Sequence, residues 1–288
     1  GNNVALMDKN DLILGTISLT GNLELTTVGD ITQSAPWQIA GTTTLASGRA
    51  HNITLTQSGN DFTGAITVAN ANNVILKDAN TLTLGSMTLA GTLLAQSGEG
   101  STLQLTSGSI LDTTTATVDA ITLVAGGRFL NEAGSMAIHV PTGSRWLVYS
   151  QDVAQDDAGS LVADFNRYGC RYEGSCPAGV TIPMIGNGFL SQSRPTLMVN
   201  GGDSRRLYGE TTDLSQVAIT YTGLVNGDKD PAITDIIMAT TADSTSSVGS
   251  YSIVPNITNA VSAVGYILVA GTNGTLTIDR APLTVTAN

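Results

Sequence analysis

Asn72-Asn73-Val74-Ile75-Leu76-Lys77-Asp78-Ala79-Asn80 repeats Asn2-Asn3-Val4-Ala5-Leu6-Met7-Asp8-Lys9-Asn10 at an offset of 70 residues. The likeness continues through Leu12, Leu14, Gly15, Leu19, Gly21 and Leu23, matched by Leu82, Leu84, Gly85, Leu89, Gly91 and Leu93. Apolar residues occupy every second position, the period of a strand with one buried face. Gly or Asn closes each run, as expected for corners that need positive φ. Shorter echoes subdivide the repeat: Gly21-x-x-x-Leu25 returns as Gly41-x-x-x-Leu45, and Ile31-Thr32 as Ile53-Thr54. Seventy residues then divide into three coils of about 20–25 residues, the repeat size of a β-solenoid. Residues 1–127 would form five or six such coils, about 25–30 Å of stacked strands. On this reading Leu12 and Leu14 share an interior column with Leu82 and Leu84.

Composition agrees with short strands and tight turns. Hydrophobic residues are 41% of the 288, enough for a core, whereas charged residues are 12%, about half the usual share. Thr, Ser, Asn and Gly fill the polar positions, a mix that disfavours helices. A net charge of -11 repels phosphate backbones and anionic lipid, which argues against nucleic acid and membrane-surface partners. No run approaches 18 apolar residues, so no membrane span is expected. No signal peptide is recognisable, and the chain opens and stops in mid-pattern, so it reads as a piece of a longer protein.

Two changes of character divide the rest. From Phe129 to Arg194 the large groups accumulate: Trp146, Tyr149, Phe165, Tyr168, Tyr172 and Phe189. An open solenoid end needs a cap over its unpaired strands, and residues 128–194 read as that closing segment. Residues 195–288 read as a separate β module. Strands are expected at Gln216–Tyr221, Ile236–Thr240, Gly249–Val254 and Thr275–Ile278, separated by Gly, Asn and Asp turns.

Three groups of residues carry a family resemblance. Asn10-Asp11-Leu12-Ile13-Leu14-Gly15, Gly29-Asp30-Ile31-Thr32-Gln33, Asn52-Ile53-Thr54-Leu55-Thr56 and Asn60-Asp61-Phe62-Thr63-Gly64 resemble the filamentous haemagglutinin-like exoproteins of bacterial two-partner secretion. Gly143-Ser144-Arg145-Trp146-Leu147-Val148-Tyr149-Ser150 is similar to the segment that closes the β-helix in that family. Tyr208-Gly209, Tyr221-Thr222-Gly223-Leu224-Val225-Asn226-Gly227-Asp228, Val248-Gly249-Ser250-Tyr251 and Leu276-Thr277-Ile278 resemble, in order, the MBG-type domain of bacterial surface adhesins. The resemblance implies an all-β chain: a right-handed parallel β-helix with a cap, then a small sandwich-like MBG-type module. It also implies a secreted or cell-surface adhesin that attaches to a polysaccharide or a surface receptor. An outer-membrane secretion partner would act on the full-length protein. The stretch Pro282-Leu283-Thr284-Val285-Thr286-Ala287-Asn288 looks like the start of a next module.

Catalytic chemistry is not expected, and neither a metal nor a cofactor is called for. Asp8, Lys9, Asp11, Glu24, Asp30, Arg49, Asp61, Lys77, Asp78 and Glu99 could serve a sugar-cleaving β-helix only if three or more met in a groove within about 6 Å. The bland reading is solvated turn carboxylates. Asp152, Asp156 and Asp157, and Asp228 with Asp230, could hold calcium but lack a known calcium-loop spacing. The histidines, His51 and His139, stand near no nucleophile motif. Cys170 and Cys176 fit a short-loop disulfide in an oxidising compartment, or two thiols in the cytosol. Trp37 lies outside the x-Leu-x-Leu rhythm and is either a stacking platform for sugar or a packed corner. Two rival functions share the β-helix: the stalk of a contact-dependent inhibition toxin, and a carbohydrate-active enzyme.

Overall fold

The computed structural model describes residues 2–115 and 117–285, and the end of the expected next module, Thr286–Asn288, lies outside them. The chain divides into two compact units: Gly1–Cys176 with Ile182–Ser193, and Pro177–Thr181 with Arg194–Asn288.

The first unit is a parallel β-solenoid of about eight turns. One face stacks Val4–Met7, Leu23–Thr26, Thr43–Ala46, Ile66–Ala71, Leu82–Leu89, Leu103–Leu105 and Phe129–Asn131. A second face stacks Leu12–Leu14, Ile31–Gln33, Ile53–Leu55, Val74–Lys77, Leu93–Gln96, Asp119–Val124 and Arg145–Ser150, then Gly188–Ser191 and Phe165–Tyr168. A short third face holds Ile17–Leu19, Trp37–Ile39 and Asp61–Phe62. Alternation does the sorting. In Ile53-Thr54-Leu55 the two aliphatic residues are buried and the threonine looks outward. The inward residues of all faces merge into one core.

Coil length corrects the expected register. On the second face Leu12 pairs with Ile31, Ile31 with Ile53, Ile53 with Val74 and Val74 with Leu93, so successive coils take 19, 22, 21 and 19 residues. Three coils carry Val4 through Leu23 and Thr43 to Ile66, only 62 residues on. An offset of 70 therefore overshoots and lands on another face. Leu12 and Leu14 belong to the second face, Leu82 and Leu84 to the first. Leu12, Leu82 and Leu84 are buried and Leu14 half-buried, so inside and outside are as expected, but the shared column is not formed.

The ladders also run on across residue 128. Leu103 pairs with Phe129, Ile121 with Trp146, and Leu147 with Gly188. Residues 129–191 thus carry the strand ladders of both faces onward. Large rings of this stretch pack together there: Phe189 lies 5.2 Å from Trp146 and 6.3 Å from Phe129, ring to ring.

The second unit has a three-stranded sheet, Ile219–Thr222, Thr196–Gly201 and Ile267–Ala270, and a four-stranded sheet, Ser204–Leu207, Gly274–Asp279, Gly249–Asn256 and Ile237–Ala239. Val217, Ala242, Ile253, Leu276 and Ile278 form its core. The four expected strands all occur within a few residues of their expected bounds. Thr196–Gly201, Ser204–Leu207 and Ile267–Ala270 were not foreseen as strands; Thr196–Gly201 runs parallel to Ile267–Ala270, and Ser204–Leu207 parallel to Gly274–Asp279.

Candidate functional site

The corners of the solenoid are held by side-chain ladders. Before each strand of the second face stands a short polar residue whose side chain accepts the backbone N–H one coil on. Asp11 accepts from Asp30, Asp30 from Asn52, Asn52 from Asn73 and Asn73 from Thr92, at 2.8–3.1 Å. On the first face Asn3 accepts from Asn22 and Asn22 from Thr42. These amides sit where the strand ladder ends and would otherwise lack a partner.

This ladder brings together three residues that the sequence did not link. Asp11, Asp30 and His51 each bring a ligand-type atom within 4.8 Å of the other two. They meet the distance condition set for an acid/base cluster. However, both carboxylates already accept backbone amides, and the set stands on open surface, with Asp30 and His51 about 40% exposed. The arrangement is therefore explained by coil stacking.

Several other acids hold local structure too. Asp152 accepts from Ala154 N–H and from the Ser193 hydroxyl. Asp156 accepts from Phe129 N–H and the Ser150 hydroxyl, and burial raises its carboxyl above the usual value. Asp157 closes a turn on Gly159 N–H, and Asp230 one on Ala232 N–H. Asp228 accepts from the Tyr266 hydroxyl at 2.6 Å. Each of these carboxylates thus accepts at least one hydrogen bond from its surroundings. Asp8 and Asp78 make the same local turn, to Asn10 and Asn80 N–H, on different faces. Asp78 is almost buried; desolvation lifts its carboxyl from 3.8 to about 6 despite hydrogen bonds from Asn80 and Phe62 N–H. His139 lies in the strand Ile138–His139, far along the chain from His51, with its Nε2 buried and unpartnered among the described residues.

The sugar-stacking reading of Trp37 is corrected. The ring is fully buried, its indole N–H donates to the Gly15 carbonyl at 3.0 Å, and it meets Phe62 edge-on at 6.4 Å. It is the first inward residue of the strand Trp37–Ile39, where its alternation with Ile39 buries both. No ring face is left for a ligand.

Cys170 and Cys176 are joined in a disulfide. Cys170 is buried, and its N–H donates to the Ser191 carbonyl, which anchors the loop to the last coils. The loop then carries Tyr172 against Tyr149, with ring centres 5.4 Å apart at 71°. Both hydroxyls have raised pKa values, chiefly from burial, with Asp119 adding to the effect at Tyr149 and Glu173 at Tyr172. These rings border a cleft of about 170 Å3 on the outer side of the second face. Sequence reading passed it over because Gln96, Tyr149 and Tyr172 come from three separated stretches.

In the second unit Tyr208-Gly209 ends the strand Ser204–Leu207. Tyr208 N–H donates to the Asp279 carbonyl, Gly209 takes φ 88°, and the Glu210 carboxylate accepts from Leu207 N–H. Gly is needed there because the backbone turns in the left-handed region.

Comparison with known families gives two matches. Residues 1–69 match a family described as repeats of unknown function (DUF5649). Residues 197–277 match the MBG domain (YGX type), which places Tyr208-Gly209 inside the matched region. No curated protein and no solved structure matches the chain. Both matched regions fit an adhesin-like repeat protein. The chain is thus a parallel β-solenoid with a C-terminal MBG domain region, and residues 1–69 of the solenoid match the repeat model.

Proposed function

We propose that the chain is a non-catalytic segment of a secreted bacterial adhesin, in which the solenoid supplies reach and the MBG domain spaces or presents the attachment surface. The observation that carries this reading is the pairing of a repeat-built parallel solenoid with an MBG domain in one chain. A stacked parallel solenoid resists bending and adds one strand spacing per coil, which suits reach. A disulfide and a net charge of -11 suit an extracellular surface. Filamentous haemagglutinin-like export through an outer-membrane partner is the route we propose for the full-length protein. The partners we propose are a polysaccharide or a receptor on a host or bacterial surface. Asp11, Asp30, Asp152, Asp156 and Asp157 hold turns and corners, which favours attachment over sugar cleavage.

Beads coated with the purified chain test this. They should adhere to polysaccharide-coated or bacterial surfaces more than beads coated with an unrelated acidic β protein. Equal adherence would overturn the attachment reading, and steady release of reducing sugar would replace it with an enzyme.

A further inference from the structure

The cleft beside the disulfide loop is built from the outer column of the solenoid and from the loop itself. Gln96, Val124 and Tyr149 pair in register on successive coils, so their side chains form one outward column. The loop closes over the end of that column. Its chain turns between Arg171 and Gly174, whose N–H donates to the Arg171 carbonyl. Glu173 is held at φ 55°, in the left-handed region that non-glycine residues seldom occupy. The disulfide and the Cys170–Ser191 hydrogen bond fix both the loop and the Tyr172 ring before any ligand arrives.

The lining then combines two aromatic rings at a steep angle with Gln96, Gln192, Glu173 and Ser150. Among the described residues, the side chains of Gln96, Gln192 and Glu173 make no hydrogen bond with the protein. Two amides and a carboxylate offer donors and acceptors of both kinds. An apolar ring platform with a few convergent polar groups is the make-up of a small-ligand site. A volume of about 170 Å3 admits one sugar ring and little more.

We infer that this cleft binds a single neutral pyranose unit of a larger glycan, stacked on Tyr172 and Tyr149 and hydrogen-bonded by Gln96, Gln192 and Glu173. The inference rests on the attachment reading and gives it a site and a ligand class. Glu173 lines the cleft and no cation does, so acidic sugars are repelled.

The test uses the whole chain with isotope-labelled tyrosine rings, titrated by nuclear magnetic resonance. The probes are methyl β-glucopyranoside, methyl β-galactopyranoside, methyl α-mannopyranoside and, as the anionic control, methyl β-glucuronide. At least one neutral glycoside should shift the Tyr149 and Tyr172 signals saturably, and the glucuronide should shift neither. Tyr172→Ala should weaken that binding about tenfold or more, the equivalent of one lost stacking contact. Tyr172→Phe should keep most of it, because the ring remains. Tyr172 is partly exposed, so an unchanged melting temperature would verify that the Ala variant folds. No shift with any neutral glycoside, or equal binding by Tyr172→Ala, would overturn the site. If Tyr172→Ala beads still adhere to glycan surfaces, attachment survives and only this site fails. If the shifts appear but wild-type beads do not adhere, the site stands and the attachment reading fails.

Discussion

At the scale of single residues, the solenoid depends on what cannot be placed between coils. Gly21, Gly41 and Gly64 stack at one corner. None of them has positive φ, which is the role the sequence suggested for corner glycines. They are required instead by close approach. A Cβ on Gly41 would come within 2.6 Å of the Gly21 carbonyl oxygen, and one on Gly64 within 2.6 Å of the Gly41 carbonyl carbon. Gly15, by contrast, has open space where a Cβ would go. Gly41→Ala should therefore destabilise the solenoid by about 2 kcal/mol or more, while Gly15→Ala stays within about 0.5 kcal/mol, as read by thermal unfolding. Asp78 gives a second expectation. Its folded carboxyl is raised to about 6 by burial, so the folded state binds the proton more tightly than the unfolded chain. Its contribution is present in full below pH 4 and is lost as pH rises through about 6, a change of about 3 kcal/mol by neutral pH. Between pH 4 and 7 the wild type should lose stability relative to Asp78→Asn, which does not titrate. Parallel pH profiles for the two proteins would contradict this.

Strands and corners show what the sequence could carry. The alternation in Leu23-Glu24-Leu25 or Ile53-Thr54-Leu55 states directly which side is buried, because a strand has a period of two. Coil length is not stated in this way. Corners take two to several residues with little change in composition, so a local likeness between Val4–Met7 and Val74–Lys77 hides a change of face. Trp37 is ambiguous in sequence for a related reason: it belongs to the third face, whose strands are only two or three residues long and show little alternation. The Asp11–Asp30–Asn52–Asn73 ladder was legible as residue types but not as a partnership, since each member bonds one coil away. The disulfide was legible because its loop is short. Closing so small a loop should contribute about 2 kcal/mol, so reduction should lower the melting temperature modestly and release Tyr172 from Tyr149. Unchanged tyrosine ring signals after reduction would contradict that role. Because Asp11 and Asp30 already hold amides, stripping divalent ions with EDTA should leave the melting temperature unchanged.

At the scale of the whole molecule, a parallel solenoid and an MBG domain stand in one chain, and the function proposed for them is attachment to a surface without cleavage. Binding and cleavage change a polysaccharide film in opposite directions. The most direct measurement is therefore a quartz crystal microbalance carrying films of several neutral polysaccharides, exposed to the purified chain. The expected result is a mass gain on at least one film that persists on washing, is reduced by Tyr172→Ala, and is followed by no loss of film. No gain on any film, or a film that thins while protein is present, would contradict it.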